Sequence, residues 1–430
     1  MSKAPTAVEI RGYQVGFGDC FLLSFVYGTE KTKHVLIDFG TVKLPGKNAK
    51  PSQHMRAVAE DIRKVTGNKL TAVVATHRHK DHISGFATDN SNGKSGEIIR
   101  DLKPDLVLQP WTEDPRAARN ARAPTADSSR SPKKLIEGLQ SMHVVAEQIA
   151  ALANQKPAWM GPLLQKQLSF IGEDNIANLS AVQNLMDMGK KTRAVWAHHG
   201  SDSGLEDLLP GVKVHVLGPP TLEQSSAIKR QRARDPDEFW NLLAGAAPGR
   251  SSVTVSRGVK KADSKKKSAV PPEARWFRDQ LDRMRGQSLL QIVRTLDGQM
   301  NNTSLILLFE VCGKKLLFPG DAQLENWAYA LRDAPNAAAT QALLADVNLM
   351  KVGHHGSTNA TPKGMLWDHL RNRMKPGKKK LTTMMSTMPG TYSGVPSTRL
   401  KSALTEETSL LNTNDLKGKD ADLFIYTKIE

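Results

Sequence analysis

At 430 residues, with 39% hydrophobic and 24% charged, the chain is long enough for one large domain with insertions, and its composition excludes a wholly disordered or membrane-embedded protein. Lys and Arg number 60 against 43 Asp and Glu, a formal charge of +17. That excess favours polyanionic partners, nucleic acid first among them, with a basic surface that serves only solubility as the competing reading.

No apolar run reaches bilayer length, and the opening MSKAPTAVEIRGYQ lacks an apolar core behind its lysine. A cytoplasmic protein with no membrane span is therefore expected. In chain order, FLLSFV within Tyr13 to Phe25 predicts a buried strand, and KHVLIDF at Lys33 to Phe39 a second that carries Asp38. Met55, Val58, Ala59, Ile62 and Val65 fall at helical intervals within His54 to Val65. LTAVVA, Leu70 to Ala75, predicts a buried strand that runs straight into THRHKDH, and Leu106 to Gln109 a short one.

From Asp114 to Lys134 the chain is rich in Ala, Arg, Ser and Pro without apolar periodicity and reads as a mobile linker. Leu135 to Met188 has helical spacing; Arg193 to Ala197 and Val212 to Leu217 read as strands, the second ending in Gly218-Pro219-Pro220. Residues 221–298 carry basic clusters at Lys229 to Arg234 and Lys260 to Lys267 and read as short helices mixed with a disordered loop. SLILLFEV and KKLLFPGD then predict a hairpin turning near Gly313, followed by a helix at Ala322 to Leu331 and strands at Asp346 to Val352, Leu381 to Ser386 and Asp422 to Thr427. A third basic cluster spans Arg371 to Lys380. No tandem repeat of fixed period is visible. Cys20 and Cys312 lie in apolar segments and read as small core residues, not a disulfide. The expected organisation is one α/β domain over 1–430, with core segments 1–110, 192–220 and 299–430 and insertions at about 111–191 and 221–298.

The chemistry concentrates in His77-Arg78-His79-Lys80-Asp81-His82. Histidine is scarce, 12 in the chain, so H-x-H-x-D-H directly after a buried strand is a strong signal. His77 and His79, two apart, can point the same way and grip one cation, while Asp81 and His82 turn toward a second. Imidazole with carboxylate suits Zn²⁺, and such mixed sites also accept Mn²⁺ or Fe. Two cations need a bridging carboxylate. Asp321 in LLFPGDA qualifies, because Gly320 permits a sharp turn at the strand end. His354 in KVGHHGS is the best remaining ligand, with His355 as the alternative ligand or as a donor that orients one. The same tetrapeptide at His198 to Ser201 reads as a turn at the edge of the insertion.

These motifs resemble the metallo-β-lactamase superfamily and, within it, the hydrolase domain of the DNA-uptake channel ComEC and its stand-alone relatives. The matching stretches are Val15-Gly16-Phe17-Gly18-Asp19-Cys20, Leu36-Ile37-Asp38-Phe39-Gly40, His77 to His82, Val216-Leu217-Gly218-Pro219, Asn301-Asn302-Thr303-Ser304-Leu305, Pro319-Gly320-Asp321 and Lys351 to Ser357. The resemblance implies a four-layer αβ/βα sandwich and a two-metal hydrolase. It implies that Asp38 supports the metal loop and does not bind metal. It places Asn302 where many relatives carry a third histidine, and Val395 where relatives often carry one before the proline.

Two cations would make hydroxide available near neutral pH, with Asp81 or Asp321 guiding the proton. Phosphodiester cleavage of DNA or RNA fits the charge and the motifs. A small-molecule hydrolase acting on a lactone, thioester or phosphoester, and a non-catalytic binding module on the same fold, remain alternatives.

Overall fold

The computed structural model describes residues 4–28, 31–44, 49–90, 93–116, 122–124, 179–229, 301–371, 381–392, 394–416 and 423–430. Most of the expected linker, of the helical stretch 135–188 and of the three basic clusters lies outside these residues; Lys229 and Arg371 are the cluster members within them.

The described chain forms two sheets. The first contains β1 (Ala7–Tyr13), β2 (Cys20–Val26), β3 (Lys33–Phe39), β4 (Ala72–Val74), β5 (Leu106–Pro110), β6 (Ala194–Ala197) and β13 (Phe424–Ile429), in the order β13-β1-β2-β3-β4-β5-β6. Its β13, β1, β2 and β3 pair antiparallel, and β3 to β6 pair parallel. The second contains β7 (Lys213–Gly218), β8 (Ile306–Val311), β9 (Lys314–Phe318), β10 (Val347–Lys351), β11 (Thr382–Met385) and β12 (Ser409–Asn412), in the order β12-β11-β10-β9-β8-β7. Here β7, β8 and β9 are antiparallel and β9 to β12 parallel.

Continuous apolar runs such as CFLLSFV are what a strand covered on both faces requires. Phe21, Leu23 and Phe25 point into a core that also holds Leu307, Phe309, Leu316 and Phe318 from the second sheet. Cys20 and Leu22 point the other way, onto a core shared with helices. Those helices are α1 (Pro51–Val65), α3 (Ser95–Asp101) and α4 (Leu179–Lys191). On the far side, Ile306, Leu308 and Leu317 pack against α5 (Leu324–Ala328), α6 (Ala337–Ala345) and α7 (Thr398–Glu407). Three apolar interfaces thus separate four layers, helix, sheet, sheet and helix, which is the expected sandwich.

Local chemistry sets the ends of α1. Pro51 starts it, where a missing N–H costs nothing, and Arg63 and Lys64 sit in its last turn, favourable at the negative end of the dipole. Helix α4, placed on sequence within the first insertion, packs Ala181, Val182, Leu185 and Met188 into the outer layer of the first sheet. The expected helix Ala322 to Leu331 begins at Leu324 and widens into a π-turn at Tyr329–Asp333. The last strand runs Phe424–Ile429, displaced from the expected Asp422 to Thr427. Cys20 and Cys312 are free, as expected. Among the described residues no helix is long and apolar enough to cross a membrane.

Candidate metal centre

The C-terminal ends of the central parallel strands of both sheets converge. From β3 comes Asp38; the loop after β4 carries His77 to His82, with Lys80–Ile83 coiled as α2. Asp321 follows β9, His354 and His355 follow β10, and Ser386 follows β11. The sheets are stitched together here. Leu305 N donates to Thr76 O at 2.9 Å, and Gly320 turns with φ +54 in a space where a Cβ would stand 2.9 Å from Thr76. A side chain at residue 320 would meet both a left-handed backbone and that contact, so glycine is required at the turn that delivers Asp321.

Every sequence-predicted residue of the motif is buried: His77 1%, His79 3%, Asp81 3%, His82 0% and Asp321 1% exposed. His77 Nε2 and His79 Nδ1 face each other at 3.0 Å, near the separation of about 3.3 Å between two nitrogens on one tetrahedral zinc. Asp81, His82, Asp321 and His355 form a second group whose ligand atoms all lie within 4.8 Å of one another. His82 Nε2 stands 3.2 Å from Asp321 Oδ2 and 3.6 Å from Asp81 Oδ2 without a hydrogen bond to either. His355 Nε2 is 2.8 Å from Asp81 Oδ2. Asp81 Oδ1 and His82 Nε2 are buried with no hydrogen-bond partner among the described residues. Buried polar atoms are nearly always satisfied, so unsatisfied nitrogen and oxygen donors converging on one point fit a bound cation.

The remaining atoms of these side chains are tied down. His82 Nδ1–H donates to Asp38 Oδ2 at 2.8 Å. Asp38, at φ +56, also accepts from Thr76 N and Thr76 Oγ1, each at 2.7 Å. His355 Nδ1–H donates to Ser386 O at 3.0 Å. Partners of this kind fix the tautomer and aim of a ligand. The structure thus puts Asp38 behind the loop, holding it. His354 and His355 both take left-handed backbone, φ +44 and +52, which non-glycine residues adopt only where the surroundings enforce it.

His354 stands outside the four-residue group, its Nε2 3.9 Å from Asp321 Oδ2, whereas His355 is inside it. Asn302 is buried, and its amide nitrogen donates to Glu325 Oε2 at 3.1 Å. Val395-Pro396 lies beside the histidine turn, where Ser397 N donates to Gly356 O at 2.9 Å. The other tetrapeptide, at the end of β6, is a turn. His199 there hydrogen-bonds Leu217 O at 2.8 Å and Asn336 Oδ1 at 2.9 Å and stacks edge-on against Tyr329. It belongs to neither metal-capable group among the described residues.

Two residues were missed as contributors to the site. Asp19 is buried at 0% exposed and ion-pairs with Lys351, itself 2% exposed. Both sit in quoted motifs, and a charged residue inside an otherwise apolar strand end was the available signal. Asp19, Asp38 and His82 also form a metal-capable triad, but Lys351 already neutralises Asp19, and His82 already bonds Asp38.

Electrostatics divide the histidines. Burial lowers His77 far below its ordinary value, helped by His82 and His79, and lowers His79 to about 4. Burial also opposes charging His82, yet Asp321, Asp81 and Asp38 outweigh it and hold His82 well above the ordinary range. His355 is raised against burial by Asp81 and Asp19. Burial pushes Asp81 and Asp321 up, but His82 and, for Asp321, Lys351 hold both carboxyls below the usual range. Asp38 is the exception: burial dominates and raises it.

Arg78, within the loop, lies 3.8 Å from buried Glu113. Arg116 forks onto Asp114 at 3.0 and 3.1 Å and stacks over Trp196 at 4.5 Å.

A family model described as the Metallo-beta-lactamase superfamily matches residues 14–88, the stretch from the end of β1 through the His77 to His82 loop. No curated protein matches the chain. The matched segment is similar to the metallo-β-lactamase superfamily, the four-layer sandwich is consistent with that fold, and the buried histidine–aspartate cluster points to a divalent-metal-dependent hydrolase.

Proposed function

We propose that the chain is a metal-dependent phosphodiesterase that cleaves nucleic acid, resembling the ComEC hydrolase domain, with two divalent cations, Zn²⁺ or alternatively Mn²⁺. The observation that carries it is the convergence of Asp81, His82, Asp321 and His355 on one point, with the His77–His79 pair beside it. Asp81, His82, His355 and Asp321 would hold one cation. His77, His79 and Asp321 would hold the other, in a site with fewer protein ligands because Asn302 is spent on Glu325. In this reading His355 takes the role first expected of His354, which lines the centre.

Buried negative charge supports bound cations. Asp19, Asp38, Asp81 and Asp321 are buried at these strand ends, with Lys351 the one buried ammonium among the described residues, an excess that a pair of divalent cations would offset. When bound, such a pair supplies a water acidified to about neutral pKa and positive charge at the group under attack.

The chain's own residues do the rest. Asp38 and Ser386 O hold His82 and His355 with Nε2 turned toward the centre. Asp81 and Asp321 are the carboxylates placed to guide the proton of the attacking water. The formal charge of +17 supports a phosphate-backbone substrate, since phosphate contacts dominate affinity for nucleic acid. The sandwich would form the single catalytic domain, and the second insertion carries two of the basic clusters of the sequence.

The test is cleavage of linear and circular DNA and of RNA with added Zn²⁺, Mn²⁺ or Mg²⁺, alongside Asp81→Ala. Metal-dependent cleavage that falls at least about 100-fold in the variant is expected. Metal bound without cleavage of any nucleic acid would overturn the substrate and favour a small-molecule ester.

A further inference from the structure

Lys351 is the only lysine or arginine buried among the described residues, 2% exposed at the end of β10. An ammonium is costly to bury unless closely paired, so its partners explain its place. Its Nζ ion-pairs with Asp19 Oδ2, donates to Gly320 O at 3.2 Å and lies 3.3 Å from Asp321 Oδ1. That same Oδ1 accepts the His354 backbone N–H at 2.9 Å. Two protein donors therefore occupy one oxygen of Asp321. The other, Oδ2, faces His82 Nε2 at 3.2 Å and His354 Nε2 at 3.9 Å. Asp19, in turn, makes no hydrogen bond through either carboxylate oxygen to the described residues, and its nearest charged partner is Lys351.

We propose that Lys351 is a positioning residue. Anchored on Asp19, its ammonium occupies Asp321 Oδ1, so that Asp321 meets metal through Oδ2 alone. The inference rests on reading Asp321 as a metal ligand. Without the ammonium, Asp321 would be free to turn and offer both oxygens to a single cation. Beside holding Asp321 ionised, the pair has a geometric role: it fixes which oxygen is offered.

Cobalt(II) is the probe, because its visible spectrum reports coordination directly. Full-length wild type, Lys351→Met and the double variant Asp19→Asn/Lys351→Met are titrated with Co²⁺, with thermal unfolding checking that each is folded. The double variant removes both members of the pair together, so neither is left buried alone, which separates geometry from folding. The expected result is a changed Co²⁺ spectrum and about 10- to 100-fold weaker binding in the double variant. Its kcat on the cleaved nucleic acid should fall, with KM changed far less. A double variant with wild-type spectrum and affinity would overturn the proposal and reduce Lys351 to a counter-ion for Asp19. Wild type that takes up no Co²⁺ would overturn the metal-ligand reading of Asp321 and the inference with it.

Discussion

The two halves of the sandwich share one strand plan. In the first, β1, β2 and β3 form an antiparallel meander that β4, β5 and β6 extend in parallel; in the second, β7, β8 and β9 do the same, extended by β10, β11 and β12. In both halves the third strand leads to an aspartate, Asp38 or Asp321, and the fourth leads to histidines, His77 to His82 or His354 and His355.

The aspartates nevertheless serve differently. Asp38 accepts three hydrogen bonds shared over both oxygens, and burial raises its pKa. Asp321 has one oxygen occupied and the other facing His82, and the cations around it outweigh burial and keep it ionised. Whether a strand-end carboxylate supports a metal loop or binds metal depends on how many of its lone pairs the protein has already filled.

Removing each aspartate should break that comparison asymmetrically. If Asp321 is the shared ligand proposed above, Asp321→Ala should lower cleavage by about 10²- to 10³-fold and reduce bound metal on elemental analysis. Asp38→Asn keeps the shape but removes the charge behind His82, with an expected loss of about 10- to 100-fold in metal affinity. Equal losses in the two variants would erase the distinction.

Acid should weaken metal binding through His82. Its pKa is raised in the protein groups alone, so its proton stabilises the metal-free fold below the unfolded value of about 6.5, and that contribution is lost as pH rises through the folded value. A cation demands the unprotonated ring. Metal affinity should therefore rise with pH until the raised value of His82 is passed, about tenfold per unit for each proton displaced, and calorimetry in buffers of different ionisation enthalpy should show proton release.

The smallest effect belongs to the duplicated tetrapeptide. His199→Ala removes one buried and one partly buried hydrogen bond and should lower stability by about 1–3 kcal/mol without changing metal content, whereas His355→Ala should change metal content. Loss of metal from the His199 variant would contradict the structural role assigned to that turn.

The strands that carry the chemistry were legible because they are covered on both faces, and FLLSFV, LTAVVA and LILLFEV are apolar at all but one position each. Strand β1 escaped notice although Val8 and Ile10 alternate with Glu9 and Arg11, because a half-polar strand has a weaker signal than a buried run. Helix α7 and strand β12 were missed for a related reason. Only Leu400 and Leu404 of α7 are fully buried, and SLLN is too short to show a period. Within the site, H-x-H-x-D-H declared itself by residue type alone. The membership of His355, the alternative to His354, in the four-residue group did not, because adjacent residues in a left-handed turn point to different sides and the backbone sets their directions. The Lys351–Asp19 pair joins positions far apart in the chain, and spacing cannot reveal it.

Anomalous diffraction at the zinc edge, from crystals of wild-type protein loaded with Zn²⁺, tests the central claim most directly. The account predicts one peak among Asp81, His82, His355 and Asp321 Oδ2, and a second, of equal or lower occupancy, beside His77 and His79. Zinc bound elsewhere, or no zinc between these strand ends, would contradict it.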